Sequence, residues 1–228
     1  MHNFVHLHVH TQYSLLDGQA SIPRLVDKAI KDGMPGIAVT DHGNMFGIKE
    51  FWNYVKKKNG ARRDKVKQTS AAIDDLQAKV DAGEANDEQQ TELAKLKAEF
   101  DALPKEDFKA IIGCEVYVAR RGLQFKEGKQ DQSGWHLILL AKNKTGYKNL
   151  IKIVSKAWTE GFYMRPRTDH AELEKYHEGL ICCSACLGGE IPKKISAGDL
   201  EAAEKSILWH KNLFGDDYYL ELQLHKAT

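Results

Sequence analysis

The sequence contains no apolar run of about 18 residues, which is the length that a membrane-spanning helix needs. Its first residues also lack the basic and then apolar layout of a secretion signal, so we expect a cytoplasmic protein. Only four cysteines are present, and a reducing compartment favours free thiols over a disulfide framework. The net charge is +1, so overall charge gives no argument for a nucleic acid or membrane partner.

Apolar residues make up 42% of the chain, enough for a substantial core, and they recur in short runs between helical stretches. Predicted strands are 4–10, 36–40, 110–119, 135–141, 179–183 and 218–224. Predicted helices are 21–32, 46–58, 145–159 and 200–213, the first with Ser21 as its cap, Pro23 in its first turn and Gly33 at its end. Apolar strands that alternate with helices predict an α/β fold with a largely parallel sheet or a (βα) barrel.

One highly charged segment, from about residue 57 to 108, has no strand pattern. Apolar residues recur at helical spacing in its two halves, with a turn signal at 82–87 between them. We therefore predict one domain over 1–228 with an inserted helical hairpin. Its basic start, 56–67, could contact nucleic acid or a partner, although a solvated helix start is the simpler interpretation.

Three histidines near the start, His6, His8 and His10, stand at every second position. On a strand they would share one face, with Cα atoms about 6.5–7 Å apart, so two rings could converge on a metal ion. Imidazole is the commonest protein metal ligand. A polar strand face is the alternative; an affinity tag would not be interleaved with apolar residues.

Further candidates lie near other predicted strands: His42 follows the second, Glu115 lies within the third, His136 begins the fourth and Cys186 follows the fifth. Functional groups of (βα) barrels gather at the carboxyl ends of strands, a position that Glu115 and His136 do not plainly occupy. A buried carboxylate such as Glu115 is costly unless it is paired or binds metal.

Simpler interpretations stay open for several of these residues. His42 could shape a turn and Asp41 could cap a helix, His136 could be a core histidine, and Asp17 before Gly18 is ordinary turn chemistry. The Cys183-x-x-Cys186 spacing could indicate a zinc knuckle or a redox pair, but no second such pair exists, and a single thiolate ligand at Cys186 is favoured.

This mixture of ligand types suits Zn²⁺, Mn²⁺ or iron better than Mg²⁺ or Ca²⁺. More than four candidate ligands indicate more than one ion. Clustered ions favour phosphoester hydrolysis, because one activates water and its neighbours stabilise phosphoryl oxygens.

Residues 4–18 (FVHLHVHTQYSLLDG) resemble the first motif of the polymerase and histidinol phosphatase (PHP) domain. Residues 40–47 (TDHGNMFG) are similar to the second motif of that domain in bacterial replicative DNA polymerase III alpha subunits. The runs 113–115, 135–141, 161–167 and 184–190 follow in the family's order. The resemblance covers nearly the whole chain outside the hairpin.

The resemblance implies a distorted (βα)₇ TIM-like barrel with up to three ions, Zn²⁺ first and Mn²⁺ or iron as alternatives. The implied ligands are His8, His10, Asp17, His42, Glu115, His136 and Cys186. Glu115 would bridge ions and, with His10 and His42, take part in catalysis, whereas His6 would support the site from outside.

The implied function is that of the N-terminal domain of a replicative polymerase, with the polymerase active site elsewhere. A metal-activated water would give a phosphoesterase-type site, with 3′–5′ exonuclease proofreading in some relatives. Implied partners are DNA, through the parent polymerase, and other replicase subunits such as a separate proofreading subunit; no membrane is implied. A stand-alone histidinol-phosphatase-like enzyme and a non-catalytic, metal-stabilised scaffold remain alternatives.

One departure from the family pattern is that no Asp-x-His motif occurs after the last predicted strand. We therefore expect a fragment truncated before the last ligand pair, with an incomplete metal cluster and an open barrel. An open barrel would expose a strand edge that is prone to aggregation.

Overall fold

A computed structural model describes residues 4–223 of the chain. The helices are α1 Ile22–Lys31, α2 Ile48–Asp81, α3 Asp87–Ala102, α4 Gly128–Asp131, α5 Lys144–Thr159, α6 His170–Tyr176, α7 Glu190–Ser196 and α8 Leu200–Phe214. The strands are β1 Gly36–Val39, β2 Lys109–Val118, β3 Trp135–Ala141, β4 Arg167–Thr168, β5 Leu180–Cys183 and β6 Tyr218–Tyr219. Within these residues no helix combines the length and apolarity that a membrane crossing requires.

The chain divides into two compact units. One comprises residues 1–51 and 110–228, and the other comprises residues 52–109. In the second unit the Asn59 amide group donates to the carbonyl oxygen of Phe108 and accepts from its backbone N–H, at 3.0 and 2.9 Å. Arg62 and Arg63 both pair with Asp107, which offsets part of the basic charge near residue 60.

The sheet of the first unit has the strand order β1-β2-β3-β5-β6, with β4 paired to β2. Strand β3 is antiparallel to both β2 and β5, so the prediction of a largely parallel sheet is wrong. The cause is the link between β2 and β3: it contains only the four-residue helix α4, and without a crossover helix the chain returns beside β2. The result is a mixed α/β fold, and closure into a barrel stays a prediction.

The predicted strand over 4–10 is not formed. This segment is extended and bonds to β1 at two points, Ala38 N–H to His6 O at 2.9 Å and Thr40 N–H to Val9 O at 2.8 Å. Between these two bonds the first segment advances three residues, from His6 to Val9, whereas β1 and the residue after it advance two, from Ala38 to Thr40. The Thr40 hydroxyl accepts from Val9 N–H at 2.8 Å. An extra residue of this kind breaks the two-residue alternation of side chains.

Most other elements match their predicted bounds within a few residues, and two differ more. The helix predicted at 46–58 continues to Asp81, and the strand predicted to end at 224 covers only Tyr218–Tyr219, residue 224 lying outside the described residues. Helices α4 and α7 and strand β4 were not predicted. Ser21 occupies the cap position of α1, but its side chain makes no capping hydrogen bond.

Apolar packing on both faces of the sheet holds the site in place. On one face, helices α5, α6 and α8 cover a core that includes Leu139, Leu150, Ile153, Leu173 and Leu180. On the other face, a smaller cluster consists of Ala38, Ile138, Leu140, Cys183 and Ala185. Side chains alternate along a strand, so Ile138 faces away from its neighbour Leu137 in the first core. Glu115 pairs with Ile138, and its carboxylate therefore lies on the second face.

Candidate metal centre

Glu115 lies at the centre of the histidine cluster and is fully buried. Its Oε2 atom is 3.2 Å from His8 Nε2, 3.0 Å from His10 Nε2 and 3.1 Å from His42 Nδ1. Its Oε1 atom contacts His136 Nδ1. Both carboxylate oxygens therefore face imidazole nitrogen atoms, an arrangement suited to a carboxylate shared between cations.

The antiparallel direction of β3 explains how His136 reaches this cluster. His136 is the second residue of β3, and its Cα pairs with that of Tyr117, two residues beyond Glu115 on β2. Residues two apart on a strand, and directly paired residues, lie on the same face of a sheet. The start of β3 therefore lies beside the end of β2, and His136 is a diagonal neighbour of Glu115.

Charges inside the cluster are strongly coupled. Burial opposes ionisation of Glu115, but the close imidazoles of His10, His136, His42 and His8 outweigh it and hold the carboxyl pKa far below its usual range. Burial also lowers the pKa of His8, yet its hydrogen bonds to Glu115 and Glu221 raise the pKa to about 10. A metal ion bound by His8 must therefore displace a proton from its ring.

His42 connects the cluster to Asp17. Its Nε2 is 2.9 Å from Asp17 Oδ2, and Asp17 is more than half exposed. Its Nδ1 is buried and has no hydrogen-bond partner, since its approach to Glu115 lacks the alignment of a hydrogen bond. A buried nitrogen without a partner is costly, and a bound cation would satisfy it.

Cys186 and His136 form the other end of the cluster. Cys186 Sγ is 3.5 Å from His136 Nδ1 and 3.9 Å from Glu115 Oε1. Its hydrogen bond with His136 lowers the pKa of the thiol, although burial opposes this. The backbone of Gly188 fixes the same loop, because His136 N–H donates to Gly188 O at 3.0 Å and Gly188 N–H donates to Cys186 Sγ at 3.4 Å.

The seven candidate ligands therefore lie in one connected cluster, and their roles as ligands stay predictions. His6 lies apart from it: its ring contacts Phe4, and its backbone oxygen bonds to β1. Cys183 is buried in the sheet core next to Ile138, so Cys183 and Cys186 do not act as a pair. The extra residue before Val9 separates His6 from His8 and His10.

Sequence reasoning missed two residues of the site. Glu221 accepts from His8 Nδ1 at 2.8 Å, a contact that depends on how the chain leaves β6. Asp41, considered only as a helix cap, is buried and accepts from Thr11 and Ser14 in the first loop. The sequence signal for Asp41 was its position directly before His42, and no pattern in the sequence marked Glu221.

The cluster contains two groups with the chemistry of a transition-metal site. One consists of His8, His10 and Glu115, the other of Glu115, His136 and Cys186, and in each group the ligand atoms lie within 4.8 Å of one another. Imidazole, carboxylate and thiolate together suit Zn²⁺ and its neighbours in the first transition row. Because Glu115 belongs to both groups, the residues fit ions held on either side of one carboxylate.

A cavity of about 570 Å³ opens beside the cluster. Three of the candidate ligands line it, namely Asp17, His42 and His136. The rest of the lining includes polar residues such as Ser14 and Arg165 and many apolar or aromatic side chains, among them Tyr117, Leu15, Leu16, Phe46, Trp158, Phe162 and Met164. The cavity could therefore accept a molecule that has both a charged part and a flat apolar part.

The family model for the PHP domain matches residues 6–225. The chain belongs to the PHP domain family. Similar curated relatives are the DNA polymerase III alpha subunits of Borreliella burgdorferi, 44% identical over 225 residues, Treponema pallidum, 39% over 225, and Aquifex aeolicus, 36% over 227. These matches cover 97 or 98% of this chain but only 15% of each relative, so the chain spans a small part of their length. The predicted family is thus confirmed.

Proposed function

We propose that this PHP domain is the N-terminal, metal-dependent phosphoesterase module of a bacterial DNA polymerase III alpha subunit, and that it removes nucleotides from DNA 3′ ends. The observation that carries the proposal is the buried Glu115 carboxylate between His8, His10, His42 and His136. The similarity to alpha subunits over nearly the whole chain supports its place in a replicase. Nucleotidyl transfer belongs to the parent polymerase, outside this chain.

The residues of the cluster have different roles in the proposed hydrolysis. Glu115 contributes negative charge to both ligand groups, and its burial keeps that charge from being screened by solvent. His42 and Asp17 face the cavity, where a scissile phosphate would enter. A bound Zn²⁺ or Mn²⁺ would supply a water of lowered pKa and neutralise phosphoryl oxygen charge. In this arrangement His10 and His42 hold the reacting centre in place.

The cavity favours a nucleic acid end over a small phosphate monoester. Aromatic side chains such as Phe46, Trp158 and Phe162 can stack on unpaired bases, and the three form a chain of ring contacts at 5.8 and 5.7 Å. Arg165 lies over the Tyr117 ring at the cavity wall and carries the positive charge that a phosphate backbone needs.

The test is digestion of a 5′-labelled single-stranded oligonucleotide by the chain with Mn²⁺ or Zn²⁺, beside p-nitrophenyl phosphate as a small monoester. We expect shortening from the 3′ end in the unmodified protein and none in Glu115→Gln, which keeps the side-chain shape but removes the shared charge. A matched control is Glu160→Gln, because Glu160 is exposed at the end of α5 and outside the cavity lining.

The other outcomes separate the alternatives. Hydrolysis of the monoester without shortening of DNA would point to a histidinol-phosphatase-like enzyme. Metal-bound protein that cleaves neither substrate, but loses thermal stability on chelation, would point to a scaffold. Either result contradicts exonuclease activity of this domain while leaving the family assignment intact.

A further inference from the structure

We propose that His170, Glu190 and His210 form a second metal site, separate from the Glu115 cluster, which binds one Zn²⁺ and joins helices α6, α7 and α8. One ligand atom from each of these residues lies within 4.8 Å of the other two. His170 begins α6, Glu190 begins α7 and His210 lies in the last two turns of α8. None of the three belongs to the cluster described above.

His170 offers a nitrogen atom that the fold leaves unsatisfied. Its Nε2 is buried and has no hydrogen-bond partner, although Glu190 Oε2 lies 3.5 Å away. The side chain as a whole is 43% exposed. Zn²⁺ prefers tetrahedral coordination, so a water molecule would be the fourth ligand beside the three protein atoms. A buried imidazole nitrogen that faces a carboxylate without bonding to it is well placed for a shared cation.

His210 is almost completely buried, and its orientation is fixed. Its Nδ1–H donates to the backbone oxygen of Ser206 at 2.8 Å, which assigns the proton to Nδ1 and leaves the Nε2 lone pair free. Metal-binding histidines in proteins generally have such a backbone or carboxylate partner on the second nitrogen.

Glu190 is oriented by partners on only one of its oxygens. Lys194 Nζ and Ser206 Oγ donate to Oε1 at 2.6 and 2.9 Å, so Oε2 remains directed at His170. Lys194 also donates to Ser206 Oγ, which closes a small network behind the carboxylate. Two imidazoles and one carboxylate are a common zinc ligand set, whereas Mg²⁺ and Ca²⁺ prefer oxygen ligands.

A metal ion here would brace the loop that carries Cys186. Glu190 follows Gly189 directly, and residues 186–189 connect the thiol to the backbone that holds His136. The second site would therefore have a structural role. Its loss would make the 186–189 loop less rigid, and it would affect the Glu115 cluster only indirectly, through that loop.

Trp209 provides a local probe, since its ring lies 4.0 Å from that of His170. Metal-free protein is titrated with Co²⁺, which occupies zinc sites and quenches nearby indole fluorescence. Co²⁺ bound at the Glu115 cluster can also quench Trp158 beside it, so the expected signature is one component of the quenching that is reversed by excess Zn²⁺ and lost in Trp209→Phe. The same component should be absent in His170→Ala and in Glu190→Gln.

His177→Ala is the matched control, because His177 directly follows the same helix and its exposed side chain hydrogen-bonds to the carbonyl oxygen of Glu174, away from Glu190. It should quench as the unmodified protein does and, by metal mass spectrometry after zinc loading, retain one more equivalent than His170→Ala. Equal zinc content in these two variants, or no Trp209-dependent quenching in the unmodified protein, would overturn the proposal. His170→Ala removes a side chain that is partly exposed, so its fold, checked by circular dichroism, should be intact.

Discussion

The buried Asp41 carboxylate accepts two hydrogen bonds from Thr11, one from the backbone N–H at 2.6 Å and one from the hydroxyl at 2.8 Å. It also accepts from Ser14 Oγ at 2.8 Å, and Ser14 Oγ lies 3.3 Å from His10 Nδ1. Asp41 thus connects the loop that carries His10 to the strand end that carries His42, and it positions both rings without touching either in the contacts described.

Asp41→Ala should lower the free energy of unfolding by roughly 3 to 5 kcal/mol, because it leaves a buried amide and two hydroxyls without their charged acceptor. Asp41→Asn should cost only about 1 to 2 kcal/mol, since its carbonyl oxygen can still accept from Thr11 N–H. Chemical denaturation measures both values. Equal losses for the two variants would show that the charge, and not the geometry of the acceptor, holds the loop.

Gly188→Ala tests the position of His136. An added Cβ atom would lie 2.8 Å from His136 Nδ1 and 2.9 Å from its Cγ, so the ring must move away. We expect metal affinity to fall by about 10- to 100-fold, as for loss of a group that orients a ligand. Gly60→Ala is the control, because no atom lies within 4 Å of its added Cβ. Unchanged affinity in Gly188→Ala would remove His136 from the metal site.

Alkylation of the folded protein should modify Cys186 first. Cys114 and Cys182 are fully buried and Cys183 nearly so, and burial raises the pKa of all three thiols, that of Cys183 to about 11. Iodoacetamide followed by peptide mass spectrometry identifies the modified residue, and bound Zn²⁺ should slow the reaction. Early modification of Cys183, or no protection by zinc, would contradict this description of the thiols.

Arg167 is fully buried and holds the link between β2 and β3. Its guanidinium donates to the carbonyl oxygens of Gly161, Phe125 and Asp131 at 3.0, 3.1 and 2.9 Å. Arg167→Met should reduce stability by roughly 2 to 4 kcal/mol, because these acceptors lose a charged donor. Arg120→Met, at an exposed residue over the Trp135 ring, should cost at most about 1 kcal/mol in the same denaturation experiment. Similar losses would mean that Arg167 contributes packing alone.

Periodicity located most elements but could not give strand direction. Strand β3 has its predicted bounds, yet its antiparallel pairing follows from the missing crossover helix after β2. Sequence alone also could not explain how His136, near the start of a strand, would join ligands at the ends of other strands. An antiparallel strand begins where its neighbour ends, and this places His136 beside Glu115. The strand predicted at 4–10 failed because the Thr40 side chain replaces one bond of the ladder.

The motifs around His8, His42, Glu115 and Cys186 predicted which side chains form the cluster, because each motif lies in or next to a predicted strand. Glu221 and Asp41 could not be predicted with them. Glu221 meets His8 across more than 200 residues of sequence, and Asp41 acts through hydroxyl groups that carry no spacing pattern.

Metal content decides whether Glu115 and its histidines form a metal site. The chain is purified without added metal and measured by mass spectrometry beside a His8→Ala/His10→Ala double variant, with His177→Ala as a histidine control. We predict that Zn, Mn or Fe is present in near-stoichiometric amounts in the unmodified chain and in His177→Ala, and that the double variant loses at least one equivalent. Equal metal content in all three proteins, or none in the unmodified chain even after zinc loading, would mean that the Glu115 cluster is not a metal site.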